Sequence, residues 1–150
     1  MQKITPCLLF NHRIEEAMNF YVSVFKGSIK SVSRLEDGSV LVAVIEILGH
    51  DFMLLTGGPR TQFTEAISFS VDCKDQAEVD YYWDALTADG GEESMCAWLR
   101  DKYGISWQIV PETLPRLLNG SDKQGAQRAM QAMMGMRKID VAEIERAYAG

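Results

Sequence analysis

KITPCLLFNHRIEEAMNFYVSVFKG, residues 3–27, carries the pattern on which the fold turns. Residues 3–10 are β-branched and apolar and predict a strand, which the polar break Asn11-His12-Arg13 ends. Ile14, Ala17, Met18, Tyr21, Val24 and Phe25 then recur at three- and four-residue spacing, the stripe of an amphipathic helix. Glu15 and Glu16 suit its first turn, and Gly27 ends the pattern.

Three strands are predicted next, over 28–35, 40–48 and 51–55, with turns at Asp37-Gly38 and Gly49-His50 and a stop at Gly57-Gly58-Pro59. The same order then returns. Residues 66–71 alternate as a strand, Asp75 with Glu78 resembles a capping box, and Val79, Tyr82, Trp83 and Leu86 form a second helical stripe. Gly90-Gly91 breaks that helix, and strands fit at 92–93, 95–100 and 106–110 around a Lys102-Tyr103-Gly104 turn. Aligning Thr5 with Ala66 also aligns Phe20-Tyr21 with Tyr81-Tyr82 and Phe25 with Leu86.

The expected class is therefore α+β, a single domain of two βαβββ modules, about 1–60 and 61–112, with a helical tail over 113–150. In that tail Leu114, Leu117 and Leu118 make a short turn, and Ala126, Met130, Met133 and Met134 fall at helical spacing. Asp140 with Glu143 opens a last helix through Ile144 and Tyr148. The methionine stripe serves either packing, against the sheet or a second subunit, or a deformable ligand surface.

Composition bounds the function. A chain of 150 residues, 47% hydrophobic and 24% charged, suits one compact unit able to bury a core without metal or disulfide. Cys7, Cys73 and Cys96 are odd in number, widely spaced and outside any C-x-x-C pattern, which points to a reducing, cytoplasmic setting. No signal peptide is expected at the N-terminus, and the longest apolar run, residues 40–45, is too short to span a membrane. A net charge of −6 without a basic cluster argues against nucleic acid as partner.

Standard catalytic constellations are missing. Gly57-Gly58-Pro59 leads to Arg60 without the Lys-Ser/Thr of a phosphate-binding loop, so it reads as a turn. His12 and His50 both fall in expected loops, where each is either solvated or one member of a sparse metal or catalytic set.

Three blocks carry a resemblance: Lys3-Ile4-Thr5-Pro6-Cys7-Leu8, Glu16-Ala17-Met18-Asn19-Phe20-Tyr21 and Phe63-Thr64-Glu65-Ala66-Ile67-Ser68-Phe69. A fourth, WLRDKYGISWQIVP at 98–111, closely resembles the signature of the PhnB-like domain labelled 3-demethylubiquinone-9 3-methyltransferase, of the vicinal-oxygen-chelate (glyoxalase/bleomycin-resistance) superfamily. With Lys138-Ile139-Asp140 the resemblance extends over nearly the whole chain. It implies two modules whose sheets curl around a cleft, commonly completed by a homodimer.

Metal-dependent relatives of that fold hold a divalent cation at four strand positions, which the resemblance carries to Thr5, Met53 or Leu55, Ala66 and Gln108. A hydroxyl, an apolar chain, a methyl and an amide are a poor donor set for such an ion, so no metal and no cofactor are expected. The nucleotide-fold methyltransferase pattern, a glycine-rich strand-to-helix turn with an acidic ribose partner, is absent as well.

Period-two alternation places Thr5, Cys7 and Leu9 on one face of the first strand, Ala66, Ser68 and Ser70 on one face of the fifth, Cys96 with Trp98 on the seventh, and Gln108 on the last. Trp107 should face a helix. The expected ligand contacts are Thr5, Cys7, Ser68, Cys96, Trp98 and Gln108, a mixture suited to a neutral, partly aromatic molecule. Glu65 is the candidate general base, with Glu92 and Glu93 behind it, unless these are ordinary surface carboxylates. Cys7 and Cys96 read as small buried groups or as nucleophiles, with no His or Lys placed beside them.

Two function classes follow. One is a metal-independent protein that binds an unidentified small molecule in a dimeric cleft. The other is an enzyme on a small metabolite, a lyase, isomerase or methyltransferase, using Glu65 or a non-standard metal site.

Overall fold

The computed structural model describes residues 2–150, which divide into two compact units at 63/64. The first contains β1 (Cys7–Phe10), α1 (Ile14–Phe25), β2 (Ser28–Arg34), β3 (Val40–Ile47) and β4 (His50–Thr56). Its sheet order is β1-β4-β3-β2, with β1 and β4 parallel and the other pairs antiparallel. The second contains β5 (Ser68–Cys73), α2 (Gln76–Thr87), β6 (Glu92–Glu93), β7 (Trp98–Arg100) and β8 (Ser106–Pro111), ordered β5-β8-β7-β6. The tail follows as α3 (Thr113–Leu118), α4 (Lys123–Met134) and α5 (Val141–Ala149), all within the second unit.

Helix α1 buries the six residues of its expected stripe, Ile14, Ala17, Met18, Tyr21, Val24 and Phe25. Its N-cap, Arg13, is left-handed and makes no side-chain cap, which sacrifices about 1 kcal/mol. Burial of the larger stripe residues contributes roughly 1.5–3 kcal/mol each, so packing against the sheet decides the helix. The stop differs from expectation. Lys26 takes the left-handed C-cap and Gly27 serves close approach instead, because an added Cβ would run into the Glu46 carbonyl on β3.

Helix α2 likewise buries Val79, Tyr82, Trp83 and Leu86, and the Asp75 carboxylate accepts from the Glu78 amide at 2.9 Å. The two helical stripes superpose at a spacing of 62, Ala17 on Val79, Tyr21 on Trp83 and Val24 on Leu86, whereas strand starts Cys7 and Ser68 are 61 apart. Phe20 and Tyr21 therefore match Tyr82 and Trp83 rather than Tyr81 and Tyr82. The cause is one residue of slack between strand and helix.

Several strand limits are corrected. β1 starts at Cys7 and β5 at Ser68, so Thr5 and Ala66 each precede their strand by two residues. The β3–β4 hairpin turns at Leu48 and Gly49, both with positive φ, and His50 already pairs with Ile47. β7 starts at Trp98 because Cys96 and Ala97 are left-handed, at φ 56° and 76°. Two successive residues of that kind end the pleat.

The tail builds a satellite core from Leu114, Ala129, Ile139 and Ile144 around Ala97 of the sheet side. Met133 and Met136 pack against it, but Met130 and Met134 remain 41% and 62% exposed, so the methionine stripe is only partly used. Gly125 lets α4 approach α5, since a Cβ there would stand 2.7 Å from the Tyr148 carbonyl oxygen. Among the described residues no helix is long and apolar enough to cross a membrane.

Candidate functional site

Sheet register in the second unit sorts its side chains. Phe69, Val71 and Cys73 of β5 pair with Trp107, Ile109 and Pro111 of β8, and Leu99 of β7 joins them on the face that α2 covers. The opposite face carries Asp72 beside Val110 and two longer cross-strand rows. One runs Ser70, Gln108, Trp98, and the other Ser68, Ser106, Arg100, Glu92.

Within this face the Gln108 amide donates to the Ser68 hydroxyl at 2.9 Å, which fixes its orientation next to the half-buried Trp98. Arg100 and Glu92 form an ion pair at 2.5 Å, with side chains 54% and 65% exposed. A pair so exposed is worth at most about 1 kcal/mol, so it yields easily to a competing charge.

Support comes from the β7–β8 turn. Asp101 is buried, and its carboxyl accepts from the backbone amides of Tyr103 (2.9 Å) and Ile105 (3.1 Å) and from the Trp107 indole nitrogen (2.9 Å). The indole thus locks the strand that carries Gln108. Trp107 packs 5.5 Å from the Phe69 ring on the helix side, as alternation requires.

Of the expected ligand contacts, Ser68, Trp98 and Gln108 are brought together on this face. Cys96 is not, because its left-handed backbone takes it off the strand, and its amide donates to the Met136 carbonyl at 2.8 Å. Cys7 lies in the first unit, exposed on the face of its sheet turned away from α1, and pairs with Met53. Thr5 is exposed before that strand, in a segment where Pro6 accepts from the Met53 amide.

Glu65 sits in an exposed turn three residues before β5 rather than at the strand start. Glu92 and Glu93 are separated by the pleat. Glu92 holds Arg100, whereas Glu93 accepts from the Trp83 indole at 2.7 Å and lies 3.6 Å from Arg137. His12 pairs with neighbouring Asn11, and His50 opens β4. Cys73 is sealed under α2, and burial, then the charges of Glu78, Asp72 and Asp75, push its thiol up to about 12.

Arg100, Ser106 and Asp101 escaped the sequence reading. Arg100 was within reach, since it stands two residues beyond Trp98 on the same strand. A shallow hollow of about 570 Å³ opens elsewhere, between α2 and the start of α5. At its rim Gln76 bonds Ile139 and Val141, and Asp80 pairs with Lys138.

The fit of a divalent cation fails on donor chemistry. Thr5 and Ala66 fall outside strands, Met53 and Leu55 of β4 bring no oxygen or nitrogen donor, and Gln108 offers a single neutral amide oxygen. Among the described residues no three His, Cys, Asp or Glu side chains are grouped to hold a metal ion.

Two βαβββ units with these sheet orders define a protein of the vicinal-oxygen-chelate, or glyoxalase, fold. The sequence pattern of the 3-demethylubiquinone-9 3-methyltransferase family matches residues 2–110, and the chain belongs to that family. The PhnB protein from Bacillus cereus is 35% identical over 73% of this chain and 99% of its own, with a TM-score of 0.68. Protein PA1353 from Pseudomonas aeruginosa is 20% identical, covers 75% of this chain and 98% of its own, and has a TM-score of 0.63. The fosfomycin resistance protein FosX from Listeria monocytogenes shares the fold at 16% identity and a TM-score of 0.61, over 79% of this chain and 98% of its own. No curated protein matches the sequence.

The family pattern stops at residue 110, short of the expected near-complete resemblance. Lys138-Ile139-Asp140 lies beyond it, on the link into α5.

Proposed function

We propose that this protein is a metal-independent small-molecule-binding protein, homodimeric, that receives a partly aromatic ligand on the sheet face bearing Ser68, Ser70, Trp98 and Gln108. The carrying observation is the donor set. A hydroxyl outside a strand, an apolar chain, a methyl and a single neutral amide are not a cation cage, whereas an indole beside hydroxyls and an amide suits stacking with a few hydrogen bonds. Three free thiols fit a reducing cytoplasm, and the two modules are read as one domain.

The family's name carries methyl transfer, but both strand-to-helix turns work against a nucleotide-type cofactor. Asn11-His12-Arg13 contains no glycine, and at α2 the Asp75 carboxylate already occupies the amide site where a phosphate would bind. Exposed Met130 and Met134 supply apolar surface for the second subunit.

Elemental analysis of protein purified without chelator tests the reading. Less than a tenth of an equivalent of zinc, nickel or manganese is the expected result. Stoichiometric metal that disappears in Gln108→Ala would overturn it.

A further inference from the structure

The face that holds Trp98 and Gln108 has a charge that a neutral ligand would not use. Among the described residues of its four strands Arg100 is the single cation on that side, on β7 two residues beyond Trp98. Side chains two apart on a strand share a face about 7 Å apart, the sum of about 3 Å from the centre of a benzoate ring to its carboxylate carbon and about 4 Å from there to a guanidinium carbon that holds it. The guanidinium is planar and presents a fork of donors that matches a carboxylate through two parallel bonds. Glu92 occupies it at 2.5 Å, and because both partners are more than half exposed that contact is readily exchanged.

We propose that the ligand is an aromatic carboxylic acid, its ring on Trp98, its carboxylate taking the place of Glu92 on Arg100. Gln108, directly opposite Trp98, and Ser70 beyond it face the ring edge with an amide and a hydroxyl. Glu92 then acts as a built-in competitor that favours anions able to bind two-pronged over weaker ones. This inference rests on the binding reading above and narrows it to one ligand class.

Titration of the full-length protein with benzoate, benzyl alcohol and acetate, followed through the indole N–H signals of Trp98, is the test. Benzoate is expected to bind at least tenfold more tightly than either other probe. Arg100→Gln should remove that advantage while leaving benzyl alcohol within twofold, and Glu92→Gln should tighten benzoate severalfold. Benzoate and benzyl alcohol binding equally, with no response to Arg100→Gln, would overturn the carboxylate assignment and leave the binding reading standing. Acetate matching benzoate would overturn the role of Trp98 and with it the aromatic class. If no probe shifts the Trp98 signal, both readings fall together.

Discussion

At the scale of single residues Asp101 does most to hold the candidate face, because one buried carboxyl satisfies two turn amides and the Trp107 indole. Asp101→Ala leaves those three donors without their acceptor, at a cost of about 2–4 kcal/mol, a large part of what a small domain has in reserve. Urea unfolding followed by tryptophan fluorescence should show the midpoint falling accordingly, and an unchanged midpoint would contradict the assignment. The sequence hides this residue beside the expected Lys102-Tyr103-Gly104 turn, in which Gly104 takes a φ of 95°. An aspartate two residues before the turn's centre is a recognisable Asx pattern, but nothing local says that its other oxygen meets an indole six positions on.

Among the elements, the tail is attached to α2 mainly through Gln76. Its carbonyl accepts from Val141 at 2.7 Å, and its amide donates to Ile139 and to Asp80, each at 3.0 Å. Asp80 also binds Lys138 at 2.9 Å. The Gln76 hydrogen bond first, then Lys138, hold the Asp80 carboxyl below its ordinary value, and the Asp80 bond holds Lys138 above its own. A depressed acid contributes fully at neutral pH and loses its contribution as pH falls through its lowered value. A raised amine loses its contribution only as pH rises past the ordinary lysine range. Hydrogen-exchange protection of Val141, Cys96 and Ala97 should therefore stay level from about pH 6 to 9 and fall below about pH 4. Gln76→Ala should lower it at every pH by roughly 1–3 kcal/mol of local stability. Equal protection in wild type and variant would show that the satellite core alone anchors the tail.

For the whole molecule, the proposed homodimer implies a sedimenting particle of twice the chain mass at micromolar concentration, and a single-chain mass would reject it. The order βαβββ, twice, was written in the spacing of apolar residues, since periods of 3.6 and 2 follow from backbone geometry and need no partner. Hence the stripes of α1 and α2 emerged residue for residue, and Ser68, Trp98 and Gln108 were assigned to one face by alternation. Tertiary structure decided the rest. Left-handed Cys96 and Ala97, tied by their amides to Met136 and Arg137, cut β7 short and withdrew Cys96 from the face. The ion pair of Glu92 with Arg100 depended on β6 pairing with β7, and the Asp101 contact on a buried turn. Alternation along a chain states which side a residue takes, whereas its neighbour across the sheet is set by register, and register is a property of strands already brought together.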